Sequence, residues 1–397
     1  MKISRKIAAI PPSATMAIDG KAKALQAEGH DVVSFGAGEP DFDTPTPIKD
    51  AAKAALDAGA SKYTPVAGEA ALRKAIAAKY KRDYALDYTA EETIVTCGGK
   101  HALYQIFLSI LEPGDEVLIP APYWVSYPPM VELADGVPVI VPTDESTGFA
   151  ATAEMLAAKI TPKTRAIMLN SPSNPTGAAY SRAQLADIAR LVIERDLVMV
   201  SDEIYEHLVY DGFEFVSFPT LDPRLKERTI LVSGVSKTYA MTGWRIGYAL
   251  APAPVIKAMA NLQSQSTSGM TTVAQRAATF ALNADHAIWQ EMFQAFARRR
   301  RLMLDLLAAM PGVTCFPPQG AFYVFPNFSA HFGKSAGGKA ITDSFSLCEY
   351  LLDAVKVAAV PGGAFGADAN IRLSYATSDE LIREGLARIG RALGELR

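Results

Sequence analysis

Cysteine is scarce in this 397-residue chain: Cys97, Cys315 and Cys348 lie far apart, odd in number and without Cys-x-x-Cys spacing. That argues against a disulfide framework or a thiolate metal centre, and a reducing cytoplasmic setting is the simplest expectation. The five histidines, His30, His101, His207, His286 and His331, show no metal-ligand spacing, so no metal is expected. Charge of one sign is also missing. Lys plus Arg number 39 against 42 Asp plus Glu, a net charge of −3, whereas a nucleic-acid module is normally basic. No apolar run reaches the ~18 residues of a membrane span. The basic start Met1-Lys-Ile-Ser-Arg-Lys is cut off by Pro11-Pro12 and then by Asp19, Lys21 and Lys23, which is not a signal peptide. Repeats of about 20–50 residues are absent, which removes solenoids and arrays.

With 49% hydrophobic and 20% charged residues, the chain has the composition of a folded protein of two or three domains. Short apolar, β-branched runs recur at 93–96, 116–120, 137–141, 166–169, 198–201, 229–232 and 246–250. Helical patterns such as 100–111 and 183–195 lie between them. Alternation of this kind predicts an α/β fold, a mainly parallel sheet covered by helices on both faces. From about 311 the pattern changes: a long helix over 285–310 is followed by Pro311-Gly312, a hairpin-like 320–325, a Gly- and Lys-rich surface insertion over 330–343 and a helical tail. The expected division is an N-terminal segment 1–45 belonging to a small α+β domain, a large domain over 46–310, and the rest of the small domain over 311–397. The four arginines Arg298–Arg301 point in different directions on a helix, so a solvated, salt-bridged surface is expected there rather than a nucleic-acid patch.

Ligands of open α/β sheets bind beyond the carboxyl ends of the strands. Reading those ends gives Gly98-Gly99-Lys100, Pro122-Tyr123-Trp124, Asn170 to Gly177 with Asn174 inside it, Asp202-Glu203-Ile204-Tyr205, and Ser236-Lys237. Each has an unremarkable alternative: Gly98-Gly99 as a tight turn, Trp124 as core, Asn174-Pro175-Thr176-Gly177 as a turn, Asp202 as a cap, Lys237 as an exposed lysine. The glycines match neither a dinucleotide fingerprint nor a P-loop. No Gly-x-Ser-x-Gly elbow is present, which disfavours a serine hydrolase. Together, however, they suit one chemistry. A lysine of depressed pKa forms a Schiff base, and a carboxylate keeps a pyridine nitrogen protonated. A tryptophan stacks on the ring, while a glycine-rich helix start with Arg245 holds a phosphate.

Further motifs make the likeness specific: Gly36-Ala-Gly-Glu-Pro-Asp-Phe-Asp-Thr-Pro45, Lys62-Tyr63-Thr-Pro, Pro122-Tyr-Trp-Val-Ser-Tyr-Pro128, Ser201-Asp-Glu-Ile-Tyr-Glu-His207, Met241-Thr-Gly-Trp-Arg-Ile-Gly-Tyr248, Gly320-Ala-Phe-Tyr323 and Arg372-Leu-Ser-Tyr-Ala-Thr377. Over nearly its whole length the sequence resembles the class I pyridoxal-phosphate aminotransferases of fold type I, most of all the bacterial aspartate aminotransferases of subgroup Ib, some of which also transaminate prephenate.

The resemblance implies a large domain with a seven-stranded sheet, pyridoxal 5'-phosphate as cofactor, and a homodimer acting on small amino and 2-oxo acids. Lys237 would carry the cofactor and shuttle the proton, Asp202 would pair with the ring nitrogen, and Trp124 would stack. Asn174 and Tyr205 would tune the ring oxygen. Gly99, Lys100, Ser236 and Arg245 would surround the phosphate, reached also by Tyr63 of the neighbouring subunit. Arg372, with the backbone of Gly38, would clamp the substrate α-carboxylate. Lys100, Ser13 and Thr15 would receive the second carboxylate, although Ser13 and Thr15 also suit a cap for a helix over 16–26. Two positions depart from the pattern. Pro11 stands where prephenate-accepting members tend to carry a basic residue, and Gly234 stands where related subgroups use a serine. The expected reaction is aspartate with 2-oxoglutarate, giving oxaloacetate and glutamate by a ping-pong route. The alternatives are an aromatic, broad-range or prephenate aminotransferase, a β-elimination lyase, or, least favoured, a non-catalytic cofactor-binding regulator.

Overall fold

A computed structural model describes residues 1–10, 12 and 14–397; Pro11 and Ser13 fall outside the described residues. All seven apolar runs become strands of one sheet: β1 (Thr93–Cys97), β2 (Glu116–Ala121), β3 (Val137–Pro142), β4 (Thr164–Asn170), β5 (Val198–Asp202), β6 (Thr229–Gly234) and β7 (Ile246–Leu250). Their spatial order is β1-β7-β6-β5-β4-β2-β3, and β7 alone runs antiparallel to its neighbours. The expected mainly parallel sheet is therefore present, and its six parallel strands end on one edge.

Alternation of side chains across the pleat explains the two covered faces. Val117 and Ile119 pack with Leu103, Ile106 and Phe107 of the helix Gly98–Ile110. Leu118, Ile167 and Met199 point the other way, onto Leu185, Ile188 and Val192 of the helix Arg182–Glu194. That helix starts with a capping box in which Ser181 accepts from the Gln184 amide and Gln184 accepts in return. Each such buried aliphatic side chain contributes roughly 1.5–3 kcal/mol.

The two chain ends meet in a second layer. Val33–Ser34 pairs in parallel with Val357–Ala358. Behind them Phe35 is fully buried against Gly385, where an added Cβ would lie 2.5 Å from the Phe35 ring. The segment 320–325 is not a hairpin: Tyr323–Val324 pairs instead with the distant strand Ile371–Ser374, which also pairs with Val360–Pro361. The insertion 330–343 carries a small hairpin of its own, Ser335–Ala336 with Lys339–Ala340.

The arginine run also differs from expectation. Arg298 and Arg301 are exposed, but Arg299 and Arg300 are buried. Arg299 forks onto Asp41 at 2.8 and 2.9 Å, and Arg300 donates to the Pro318 carbonyl and Asp211 at 2.6 Å each. The helix Ala287–Ala308 packs against other segments, so two of the four guanidiniums are largely buried and paired.

One contact fixes how closely the Gly98–Ile110 helix approaches the sheet. Gly247 lies under the helix start, where a Cβ would fall 2.2 Å from the Gly99 nitrogen and 2.3 Å from the Gly98 carbonyl carbon. Gly247 is also registered opposite Gly234, whose own Cβ would sit 3.1 Å from the Gly247 Cα. The glycine at 234 thus belongs to this close backbone approach. Gly247→Ala forces the backbones apart and is expected to cost about 1–3 kcal/mol or more, read as a clear drop in melting temperature of the cofactor-free protein. An unchanged melting temperature would contradict the packing described.

Candidate active site

The strand ends and the two chain-terminal segments enclose a cleft of about 610 Å³, within the range of small-molecule sites. It is lined by Thr15, Gly38, Gly99, Lys100, Trp124, Asn174, Asp202, Tyr205, Ser236, Lys237, Arg245 and Arg372 among others. Of the described residues singled out from sequence, one, Tyr63, is not brought there. Ser13 lies outside the described residues. Tyr63 is fully exposed and lines a separate surface depression with Lys62, Glu69 and Arg276. Thr15 sits in the first turn of the helix Ala14–Ala27, not before it.

Lys237 follows β6, and its ammonium donates to the Gly38 carbonyl. Burial, together with the Arg372 and Arg245 charges, pulls its pKa down to about 8 against the opposing effect of Glu39. Asp202 ends β5 almost fully buried, and burial pushes its carboxyl up to about 6. Its Oδ2 accepts from the Tyr127 hydroxyl at 2.8 Å and its Oδ1 from the Ile204 amide at 3.2 Å. No cation pairs directly with it among the described residues.

Arg372 is a fully buried cation of the cleft. It is 1% exposed, donates from Nη1 to Asn174 Oδ1 at 2.9 Å and from Nη2 to the Gly36 carbonyl at 2.8 Å, and stacks over the Tyr323 ring. Its Nε is buried without a partner. Burial lowers its pKa from the ordinary guanidinium value. Asn174 thereby commits its oxygen, which leaves its amide NH₂ as the donor facing the cleft side. The Tyr205 and Tyr323 hydroxyls lie 3.0 Å apart, and burial raises the Tyr205 pKa well above normal.

At the other end, the start of the Gly98–Ile110 helix presents free backbone N–H groups. Beside it Arg245 donates to the Thr242 and Cys97 carbonyls at 2.9 and 3.1 Å. Gly98 has φ +76°, and an added Cβ would lie 2.5 Å from the Arg245 guanidinium. A helix start with an adjacent guanidinium is an anion cradle. The Lys100 ammonium stands 4.7 Å from the Trp124 ring centroid, its pKa lowered by burial and by Arg245.

Sequence reasoning assigned no role to Tyr127, Asn170, Glu39 or Tyr323. Asn170 ties the site together by donating to the Asp202 carbonyl and accepting from the Asn174 amide. Glu39 accepts from Thr242 at 2.6 Å. All four lie inside the motifs quoted above, so the available signal was their position in those motifs, not their residue type.

The comparisons agree with this geometry. The family described as aminotransferase class I and II matches residues 30–389, and the chain belongs to it. The chain is 50% identical over 389 residues to an aspartate/prephenate aminotransferase of Cereibacter sphaeroides, covering 98% of this chain and 97% of the other. It is 49% identical to an aspartate aminotransferase of Geobacillus stearothermophilus, covering 98% of each. Among solved structures, the aspartate aminotransferase of Rhizobium meliloti superposes with a TM-score of 0.96 at 45% identity over 100% of both chains. That of Thermus thermophilus with maleate gives 0.93 at 47% identity, covering 99% of this chain and 100% of the other. The fold is that of fold type I, and the cofactor of the family is pyridoxal phosphate. The donor set fits that group: a lysine of lowered pKa, a buried carboxylate without a cation, and an anion cradle at the other end of the cleft.

Behind the site, Glu203 is buried and accepts only from neutral donors, Ser201, Ser217 and the Phe218 amide. Burial and nearby Glu206 push its pKa up to about 8. Because the folded value exceeds the unfolded one, native stability falls as pH rises from about 4.5 toward that value, and the loss is complete above it. Glu203→Gln removes this dependence. The melting temperature of the variant relative to the parent should therefore rise between pH 5 and pH 8.5 (roughly the two ends of that window); a constant difference would show that Glu203 does not titrate there.

Proposed function

We propose that the protein is an aspartate aminotransferase that transfers the amino group of aspartate to 2-oxoglutarate, giving oxaloacetate and glutamate in two half-reactions. The observation that carries this reading is one cleft containing a buried arginine without a carboxylate partner, Arg372, a second cation, Lys100, and a lysine of lowered pKa, Lys237. Two fixed cations suit a dicarboxylate substrate, and the curated relatives are named for aspartate.

Bound pyridoxal phosphate supplies an electron sink and holds the nitrogen between the two half-reactions. The residues do the rest. Lys237 would hold the cofactor and, when free, would move the proton at the substrate α-carbon, a task suited to an amine whose pKa burial has lowered to about 8. Asp202, steadied by Tyr127, meets the ring nitrogen, and that positive charge would hold its carboxylate ionised. Trp124 stacks on the ring. The Asn174 amide and Tyr205 hydroxyl donate to the ring oxygen, while Gly99, Ser236 and Arg245 hold the phosphate. Arg372 forks onto the α-carboxylate, helped by Gly38, and Lys100 with Ser13 and Thr15 takes the second carboxylate.

In the same reading the active unit is a cytoplasmic homodimer. The full exposure of Tyr63 supports a role for it in the cleft of the neighbouring subunit. Segments 1–45 and 311–397 form the small domain against 46–310, and their approach over the cleft shuts out water.

Lys100→Gln is expected to lower kcat/KM for aspartate by about 10–100-fold while alanine changes little; equal losses on both amino acids would remove Lys100 from substrate recognition. Lys237→Ala should abolish both turnover and the visible absorbance of the lysine-bound cofactor. Survival of either would mean that another residue is the nucleophile.

A further inference from the structure

A cluster of potential ligands lies outside the cleft, assembled from residues far apart in sequence. Asp83 lies in the last turn of the helix Ala70–Tyr84, His207 follows β5, and His286 precedes the long helix Ala287–Ala308. Their ligand atoms all fall within 4.8 Å of one another. His207 Nε2 is 3.9 Å from Asp83 Oδ2, and His286 Nε2 is 4.0 Å from Asp83 Oδ1. The two imidazoles are 5.3 Å apart between centroids.

One observation sets this group apart from an ordinary polar cluster. His207 Nε2 is buried with no hydrogen-bond partner among the described residues, a condition native structures rarely tolerate without a reason. Its ring is held by stacking on Trp289 at 5.5 Å and 29°. We propose that Asp83, His207 and His286 form a binding site for one divalent transition-metal ion of the zinc class, separate from the catalytic cleft.

Two imidazoles and a carboxylate are a borderline donor set that suits Zn²⁺, Co²⁺ or Ni²⁺ and not Mg²⁺ or Ca²⁺. Tetrahedral ligands at ~2.0–2.2 Å from a metal stand about 3.3–3.6 Å apart, so the two Asp83 pairs at 3.9 and 4.0 Å must close in by about half an ångström and the widest pair, within 4.8 Å, by up to about 1.5 Å. His286, whose side chain is 45% exposed, can make that adjustment and leaves a path for the ion and its water.

The competitor is a cation. Arg82 donates to Asp83 at 2.7 and 3.2 Å, and the Lys79 ammonium is 4.0 Å away. Lys79 is already paired with buried Glu206. Arg82 is 44% exposed on its side chain and can swing into solvent. An ion here would join a helix preceding the sheet, the segment two residues beyond Tyr205, and the long helix, and would stiffen their junction.

The test is calorimetric titration of untagged holoenzyme with Zn²⁺ alone in phosphate-free buffer, with Co²⁺ visible d–d absorption as a second readout. One saturable equivalent per chain is expected. His286→Ala and His207→Gln should each weaken it at least about tenfold, and Arg82→Ala should tighten it, an effect that damage to the fold would not produce. If His207→Gln does not fold, the exposed positions His286 and Arg82 decide alone. Absence of saturable binding, or binding unchanged in His286→Ala, overturns the proposal.

Discussion

Arg372 is the constraint around which the rest of the molecule is arranged. A guanidinium taken out of water costs several kcal/mol unless paired, yet its partners here are an amide oxygen, a backbone carbonyl and two aromatic rings. Those partners come from the loop after β4, the N-terminal Gly36 segment, and Tyr323 and Phe365 near the C-terminus. Holding the charge thus draws both chain ends onto the sheet edge. Its unpartnered Nε leaves hydrogen-bonding capacity unspent, and on the proposed reading a substrate carboxylate takes it.

The second organising feature is how tightly backbone packs on backbone at the other end of the cleft. Gly98, Gly234 and Gly247 let a helix start sit directly on β7, with Arg245 against it. Amide donors and a guanidinium there, a buried carboxylate and a lysine of lowered pKa line one cleft with different charge requirements. On the proposed reading, an anionic phosphate, a protonated ring nitrogen and a carbonyl carbon would meet these groups. The net charge of −3 says nothing of this, because the cations that matter are local.

Much of this was legible in the residues. The seven strands were visible because a sheet covered on both faces needs unbroken β-branched runs, and the ends of those runs pointed to Lys237, Asp202 and Asn174. The strand order was not legible, since pairing depends on where helices return the chain. Nor was the fate of Arg299 and Arg300: helical periodicity says that neighbours diverge, but not that Asp41 and Asp211 wait on two sides. The 320–325 segment read as hairpin-like and local, whereas its partner strand lies near residue 373. Tyr127 went unassigned because a tyrosine in an aromatic motif does not announce a hydrogen bond to a carboxylate 75 positions away.

The central claim is that the Arg372 charge is held free for a substrate carboxylate. Calorimetric titration of the cofactor-loaded protein with maleate, the dicarboxylate bound in the Thermus thermophilus structure, tests it most directly when repeated on Arg372→Lys. That substitution keeps the charge but loses the planar fork. The account predicts at least about tenfold weaker binding, some 1.4 kcal/mol, in a variant that still binds cofactor. Equal maleate affinity in the two proteins would contradict it.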